Sequence, residues 1–411
     1  MGWGVPVDLR HALLDGCRMT AAADTTTAEY VALVDANAML RSGACGPQSP
    51  DQIVKTLLRK IRPGCKQIIV VFDAAAPAAY PPQRALVHAK RYPVTAGVPD
   101  PEIARMIALF GAKTADELVS TSAALLPLIN SRKINWKVCF NCRPLKMFVW
   151  RLFTMALRRA AFEMLALGEL NCPVLIYSSN MDMVHSVQLP EHGVQDKPMG
   201  RYLGEADPQI FAFACILSKK GIKVGIWSID TDFLLMAIGN VFFVPSAELL
   251  IWLKEGVTDA GALIQKFGGD CPTARLNSFF WCVALGADYC KPLTTQGYST
   301  KALAALAVEN GTRRGDDAAA ATRVFTVTLV GNKCTCTFSV QQLHLVLSGL
   351  PRRNESKGKP RAPLMMAVND VLFCVAYYGL MFDERIQPFP DPPAASRGTE
   401  PDTCTISWQL D

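Results

Sequence analysis

Three apolar, β-branched-rich runs, YVALVD (30–35), KQIIVVFD (66–73) and KVGIWSID (223–230), each end on an aspartate. Uninterrupted apolar strands need cover on both faces, which predicts a central, mostly parallel sheet flanked by helices. VLIYSS (174–179) is a further strand of this kind. Strands alternating with helix-spaced segments such as 51–62 make the fold class α/β. Open α/β sheets bind ligands at the carboxyl ends of their strands, so Asp35, Asp73 and Asp230 are expected along one edge.

Two acidic pairs add to that edge. Glu205 and Asp207 open a helix reading PQIFAFACILSKKG, and Asp230 and Asp232 follow the run VGIWS. A single Asp has an ordinary explanation as a helix cap or turn residue. Asp-x-Asp directly after a buried strand, and Glu-x-Asp opening a helix, are more specific. Carboxylates gathered in apolar surroundings cost too much unless something cationic holds them. Mg²⁺ or Mn²⁺ suits them, because hard divalent ions prefer carboxylate and water oxygens. Asp288, at a turn in ALGADYCKPL, brings the set to seven: Asp35, Asp73, Glu205, Asp207, Asp230, Asp232 and Asp288. Two divalent ions about 4 Å apart need roughly that number of carboxylates to hydrolyse a phosphodiester with water.

The 411 residues allow two or three domains, or one large domain with insertions. Fourteen cysteines, with neither a signal peptide nor regular spacing, imply a reducing compartment and buried thiols. Cys139 and Cys142 form a lone C-x-x-C, whereas a zinc site needs a second pair of ligands. The longest apolar run, Leu364 to Phe382, contains Asn369 and Asp370 and reads as a core helix rather than a membrane span. A soluble, intracellular monomer without a membrane partner is expected.

From 131 to 160 the chain carries Arg132, Lys133, Lys137, Arg143, Lys146, Arg151, Arg158 and Arg159, with no acidic residue before Glu163. Trp136, Phe140, Phe148, Trp150 and Phe153 are interleaved with them. Two readings stand. Either the cations track phosphates while the aromatic faces stack unpaired bases, or this is an amphipathic helix whose aromatics pack on the core. Residues 324–330 and 334–340 alternate around Gly331-Asn332 as a β-hairpin. A basic linker (352–363) and the apolar final helix follow, and PFPDPPAASRGTEPD opens a disordered tail.

The blocks VALVDANAML, IIVVFDAAAP, LGEADPQIFAFA, WSIDTDFLLMAIGN and ALGADYCKPL resemble, in order and type, those of the flap-endonuclease family. That family comprises structure-specific 5′ nucleases related to the xeroderma-pigmentosum-G nucleases, with divergent viral members. The resemblance spans residues 1–92 and 200–305. It implies a PIN-like 5′ nuclease fold and two Mg²⁺ (or Mn²⁺) ions. Asp35, Asp73, Glu205 and Asp207 would surround one ion, and Asp230, Asp232 and Asp288 would serve the other. It implies a nuclease block at 1–93, a helical arch over single-stranded nucleic acid at 94–200, and a second nuclease block at 201–311. A hairpin-and-helix extension (312–387) and the disordered tail (388–411) complete that division.

Gly2 would lie near the active site, the basic residues of 131–160 would belong to the arch, and Arg84, Lys90 or Arg91 would grip the scissile phosphate. The family's Gly-x-Gly duplex-binding hairpin is degenerate here, reading Gly297-Tyr298-Ser299-Thr300-Lys301, and no clear sliding-clamp peptide closes the chain. The expected activity is metal-dependent cleavage of branched or flap DNA in replication, repair or recombination. The nucleus or a viral replication compartment is the expected location, with the cytoplasm as the other choice. A host-shutoff endoribonuclease and a non-catalytic scaffold on the same fold are the alternatives.

Overall fold

The computed structural model describes residues 15, 17, 29–44, 46–61, 65–73, 100–132, 134–188, 193–198, 206–240, 249–253, 256–285, 293, 298–312, 322–330, 333–351 and 403–409. The first half of the chain runs β1 (Tyr30–Asp35), α1 (Ala36–Gly43), β2 (Pro47–Gln48), α2 (Pro50–Lys60), β3 (Cys65–Phe72), α3 (Pro101–Gly111), α4 (Ala115–Asn130), β4 (Ile134–Asn135), α5 (Trp136–Asn141) and α6 (Lys146–Ala166). Next come β5 (Val174–Ser178), β6 (Met183–Val187), β7 (Val194–Pro198), α7 (Ala206–Lys219), β8 (Val224–Trp227), α8 (Asp232–Gly239), β9 (Leu249–Leu253), β10 (Gly256–Asp259), α9 (Ala260–Lys266) and α10 (Pro272–Ala284). The last are α11 (Thr300–Thr312), β11 (Phe325–Val330), β12 (Lys333–Ser339), α12 (Val340–Ser348) and β13 (Thr403–Gln409).

The expected sheet is present, with eight strands in the order β10-β9-β8-β1-β3-β5-β6-β7. β9, β8, β1, β3 and β5 run parallel, and antiparallel strands close both sides. Side chains alternate between the two faces of each strand. Val31, Leu33, Ile69, Val71, Val224 and Ile226 face a core built with α7 to α11. Ala32, Val34, Ile68, Val70, Phe72, Val174 and Ile176 face a second core built with α1 to α6. Covering both faces is what makes the continuous apolar runs stable as central strands.

Local signals start several of the helices. Ser49 and Gln52 form a capping box at α2, with Pro50 in its first turn. Thr114 and Glu117 do the same at α4. α9 and α10 are parted where Gly268 and Gly269 take φ values of 121° and 56°. A side chain at 268 would be strained in that conformation, and its Cβ would sit 2.6 Å from the Arg275 amide nitrogen.

An arch is expected over 94–200, of which 100–132, 134–188 and 193–198 are described. These residues supply α3 to α6, which roof one face of the sheet, and β5 to β7, which extend it. α6 is 21 residues long and buries thirteen of them, including Val149, Trp150, Phe153 and Leu157. The hairpin expected near 324–340 forms as β11 and β12, and its turn residues Gly331 and Asn332 lie outside the described residues. The final helix expected over 364–382 also lies outside them. The tail expected to be disordered instead provides β13, which pairs antiparallel with β12 from Ser339↔Thr403 to Lys333↔Gln409. Its sequence, TCTISWQ, alternates and is rich in β-branched residues, so the strand signal was there, hidden behind a Pro-rich lead-in. Buried Asn277 of α10 secures this small sheet, accepting from the Val324 and Phe325 amides (2.7 and 3.0 Å) and donating to the Phe325 carbonyl (2.8 Å).

Cys139 and Cys142 are buried free thiols, and burial, followed by the neighbouring Cys142, pushes Cys139 up to about 12. Among the described residues no helix is long and apolar enough to cross a membrane.

Two predictions follow from this packing. A Cβ on Gly225 of β8 would fall 2.3 Å from the Trp252 ring, inside the Tyr30–Trp252–Trp227 stack. Gly225→Ala should therefore cost about 1–3 kcal/mol by overpacking, read as a lower denaturant midpoint at unchanged slope. Asp196 of β7 is held below the usual carboxylate range, first by a hydrogen bond with buried His185 (2.8 Å) and then by Arg158. A depressed carboxylate stabilises the fold above its unfolded value and loses that contribution as pH falls through the folded value. Wild-type stability should therefore drop below about pH 4, whereas Asp196→Asn, already weakened at neutral pH, should drop less in the same titration.

Candidate functional site

Three parallel strands deliver their last residues to the same edge of the sheet. β1 ends on Asp35, which lies 4% exposed and caps α1 by accepting from the Ala38 amide at 3.1 Å. The Ser228 hydroxyl, just past β8, donates to the other Asp35 oxygen at 2.9 Å. Asp73 follows β3 directly. One of its oxygens accepts from the Asn37 side-chain amide at 2.6 Å, and the other from the Ala206 amide at 2.7 Å. Ala206 is the first residue of α7, so an otherwise unsatisfied amide at the positive end of a helix points at this carboxylate.

The loop after β8 is folded by its own acids. The Asp230 amide donates to the Ser228 hydroxyl at 3.0 Å, and the Asp232 amide to the Asp230 carboxylate at 3.1 Å. Asp232, 3% exposed, then begins α8. Asp207, half-buried, is the second residue of α7. A continuous chain of hydrogen bonds and peptide links thus runs from Asp207 through Ala206, Asp73, Asn37, Asp35 and Ser228 to Asp230 and Asp232. Five of the seven expected acids are brought to one place, and Glu205 and Asp288 lie outside the described residues.

The electrostatics are unfavourable for an anion. Burial pushes the Asp35 carboxyl up to about 7, and the charges of Asp73 and Asp230 push the same way against the Ala38 and Ser228 hydrogen bonds. Among the described residues, the charges acting on Asp35 are negative and its hydrogen-bond donors, the Ala38 amide and the Ser228 hydroxyl, are neutral. The donor chemistry fits a hard divalent cation, since all of it is oxygen. Among the described residues no group of three or more His, Cys, Asp or Glu side chains is disposed to hold a metal ion. The described carboxylates approach one another without closing a cage.

The expected basic contacts fare differently. Lys146 is buried, and Arg151 donates to the carbonyls of Asn180, Lys113 and Gly111. Arg158 pairs with Asp196 at 3.0 Å, and Arg159 pairs with Asp51 and Glu163. Arg132 pairs with Glu102 at 3.3 Å on the surface, where such a bridge is worth ~1 kcal/mol or less. Lys137 and Lys301 are exposed. The aromatics form a packed cluster: Phe140 stacks on Trp150 at 5.0 Å, and Trp136 meets Phe153 edge-on at 5.1 Å.

The stacking-platform reading of 131–160 is therefore corrected in favour of core packing. The counter-charges that looked missing come from Asp51, Glu102 and Asp196, which are distant in sequence. Gly2, Arg84, Lys90, Arg91, Lys133 and Gly297, and the side chain of Arg143, lie outside the described residues. Asn37 and Ser228 were missed as site residues; their signal was a polar side chain two residues from an Asp at the end of a buried strand. No family model and no curated protein sequence matches this chain.

Asp35→Asn should raise the melting temperature of the metal-free protein by about 2–4 °C, because it removes a buried charge that its neighbours repel while keeping the helix cap. It should also abolish any rise on adding Mg²⁺. Thermal scans with and without the ion check both effects.

Proposed function

We propose that this chain is a divalent-metal-dependent phosphodiesterase acting on nucleic acid, of the structure-specific 5′ nuclease type. One observation carries the reading. Asp35 is buried beside the negative charges of Asp73 and Asp230, and among the described residues the donors on its oxygens are neutral. A carboxylate held so is incomplete until a cation joins it. Asp35 and Asp73 would hold such an ion, with Asp207, Asp230 and Asp232 beside them and Glu205 and Asp288 completing the set. When bound, divalent ions would supply a Lewis acid for the phosphoryl oxygens and a more acidic water.

The protein's own part is to hold those oxygens in place. The Ala206 amide and the Asn37 side chain orient Asp73, and Ser228 with the Ala38 amide orients Asp35. The strand-end placement leaves the half-buried Asp73, Asp207 and Asp230 at the edge of the sheet where a phosphate backbone would meet them. Since Arg158 and Arg159 of α6 are held in ion pairs and Arg151 on backbone carbonyls, contacts to the substrate fall to the exposed lysines and to Arg84, Lys90 or Arg91. Flap DNA is the proposed substrate, following the resemblance of the acidic blocks.

End-labelled flap DNA, plain duplex and structured RNA, each with Mg²⁺, Mn²⁺ or a chelator, form the test. Metal-dependent cleavage of the flap is expected, and Asp232→Asn should slow it at least about 100-fold, or ~3 kcal/mol of barrier. Cleavage of RNA alone would favour the endoribonuclease. Intact substrates throughout, with wild type and Asp232→Asn alike, would leave a non-catalytic scaffold.

A further inference from the structure

We propose that Arg151 and Asn180 are positioning residues for the candidate site, fixing the backbone of Asp73 from outside the acidic edge so that its carboxylate is presented in one orientation. The inference rests on the divalent-metal reading of that site. Asn180 follows β5 and is 8% exposed. Its side-chain amide donates to the Asp73 carbonyl at 2.8 Å, and the neighbouring Ser179 hydroxyl donates to the Phe72 carbonyl at 3.2 Å. These bonds lie just beyond Phe72↔Ser178, the last rung of the β3–β5 ladder. They continue the strand pairing with side chains where the backbone pairing stops. On the opposite flank the Asp73 amide donates to the Asn37 side-chain oxygen at 3.4 Å. The peptide groups on both sides of Asp73 are thus held by amide side chains, while Asn37 and Ala206 hold the two carboxylate oxygens.

Asn180 is itself held. The Arg151 Nε donates to its carbonyl at 2.6 Å, and Nη1 of the same guanidinium reaches the carbonyls of Lys113 (3.3 Å) and Gly111. All three bonds go to backbone oxygens, so a half-buried cation is used as a planar clamp rather than as an ion-pair partner. Gly111 ends α3, where helix carbonyls lack partners and a positive charge is favoured. The clamp needs a close approach of α3 to α6, since a Cβ at position 111 would lie 2.1 Å from the Phe148 ring. One guanidinium on α6 therefore ties the end of α3 to the loop after β5, and that loop ties the end of β3.

A purely structural clamp would stabilise the fold without touching the acids, and two readouts separate the cases. Hydrogen exchange is followed by mass spectrometry over segments 70–75 and 176–182, and Mn²⁺ binding by calorimetry, in wild type, Asn180→Ala and Arg151→Lys. Asn180→Ala should keep a melting temperature close to wild type, speed exchange around Asp73, and weaken Mn²⁺ binding about tenfold, as loss of an outer-shell partner does. Arg151→Lys keeps the charge but cannot span three carbonyls, and should act in the same direction; if it fails to fold, Asn180→Ala decides alone. Unchanged exchange around Asp73 in Asn180→Ala overturns the inference, and so does faster exchange with wild-type Mn²⁺ affinity. Wild-type protein that binds no Mn²⁺ sinks the metal reading instead, and exchange still decides whether Asn180 and Arg151 hold Asp73.

Discussion

Asp35 ends the central strand almost fully buried, with the negative charge of Asp73 beside it and, among the described residues, neutral donors on its oxygens. Keeping a carboxylate there costs free energy that the fold must find elsewhere. It comes from the two apolar layers on either side of the sheet, which hold β1 between β8 and β3, in unbroken register with β3 from Val31 to Asp35. Strain of this kind is tolerated where it serves a site. Asp35 also caps a helix, and under the proposed function a divalent cation would offset the charge that capping leaves uncompensated.

The surroundings of the acids are unusually rich in neutral amides and hydroxyls. Asn37, Ser228, Asn180 and Ser179 each join two strand ends or a strand end to a helix. Neutral donors can orient a carboxylate without cancelling its charge, which a lysine or arginine in the same place would do. The arginines stand one step back. Arg151 works on carbonyls behind the β5 loop, and Arg275 donates to the carbonyls of Ala237 and Ile238 near the end of α8, the helix that Asp232 begins. Cationic charge thus fastens helix ends and loops while the acidic edge keeps its negative potential.

Segment 131–160 shows how composition alone misleads. Basic residues interleaved with aromatics look like a surface for nucleic acid, yet Trp136, Phe140 and Phe153 fill the core and the arginines find acids up to 108 residues away. Local sequence shows charge but not its partner. The C-terminal strand teaches a similar lesson, for the alternating TCTISWQ could be placed in a sheet only once β12 offered an edge to pair with.

The amino-acid sequence by itself determined the α/β class, the parallel strands at 30–35, 66–73, 174–179 and 223–230, and the convergence of Asp35, Asp73 and Asp230 on one edge. Those follow from local apolar runs and from the rule that parallel strands share a direction. Only the tertiary structure decided that α3 to α6 layer on one face of the sheet and that β5 to β7 extend it. It alone showed that Asn37, Ser228 and Asn180 hold the acids, and that the cations of α6 are spent on the fold. Hydrogen-bond partners and counter-ions are chosen between segments far apart in the chain, and no local pattern of residues encodes that choice.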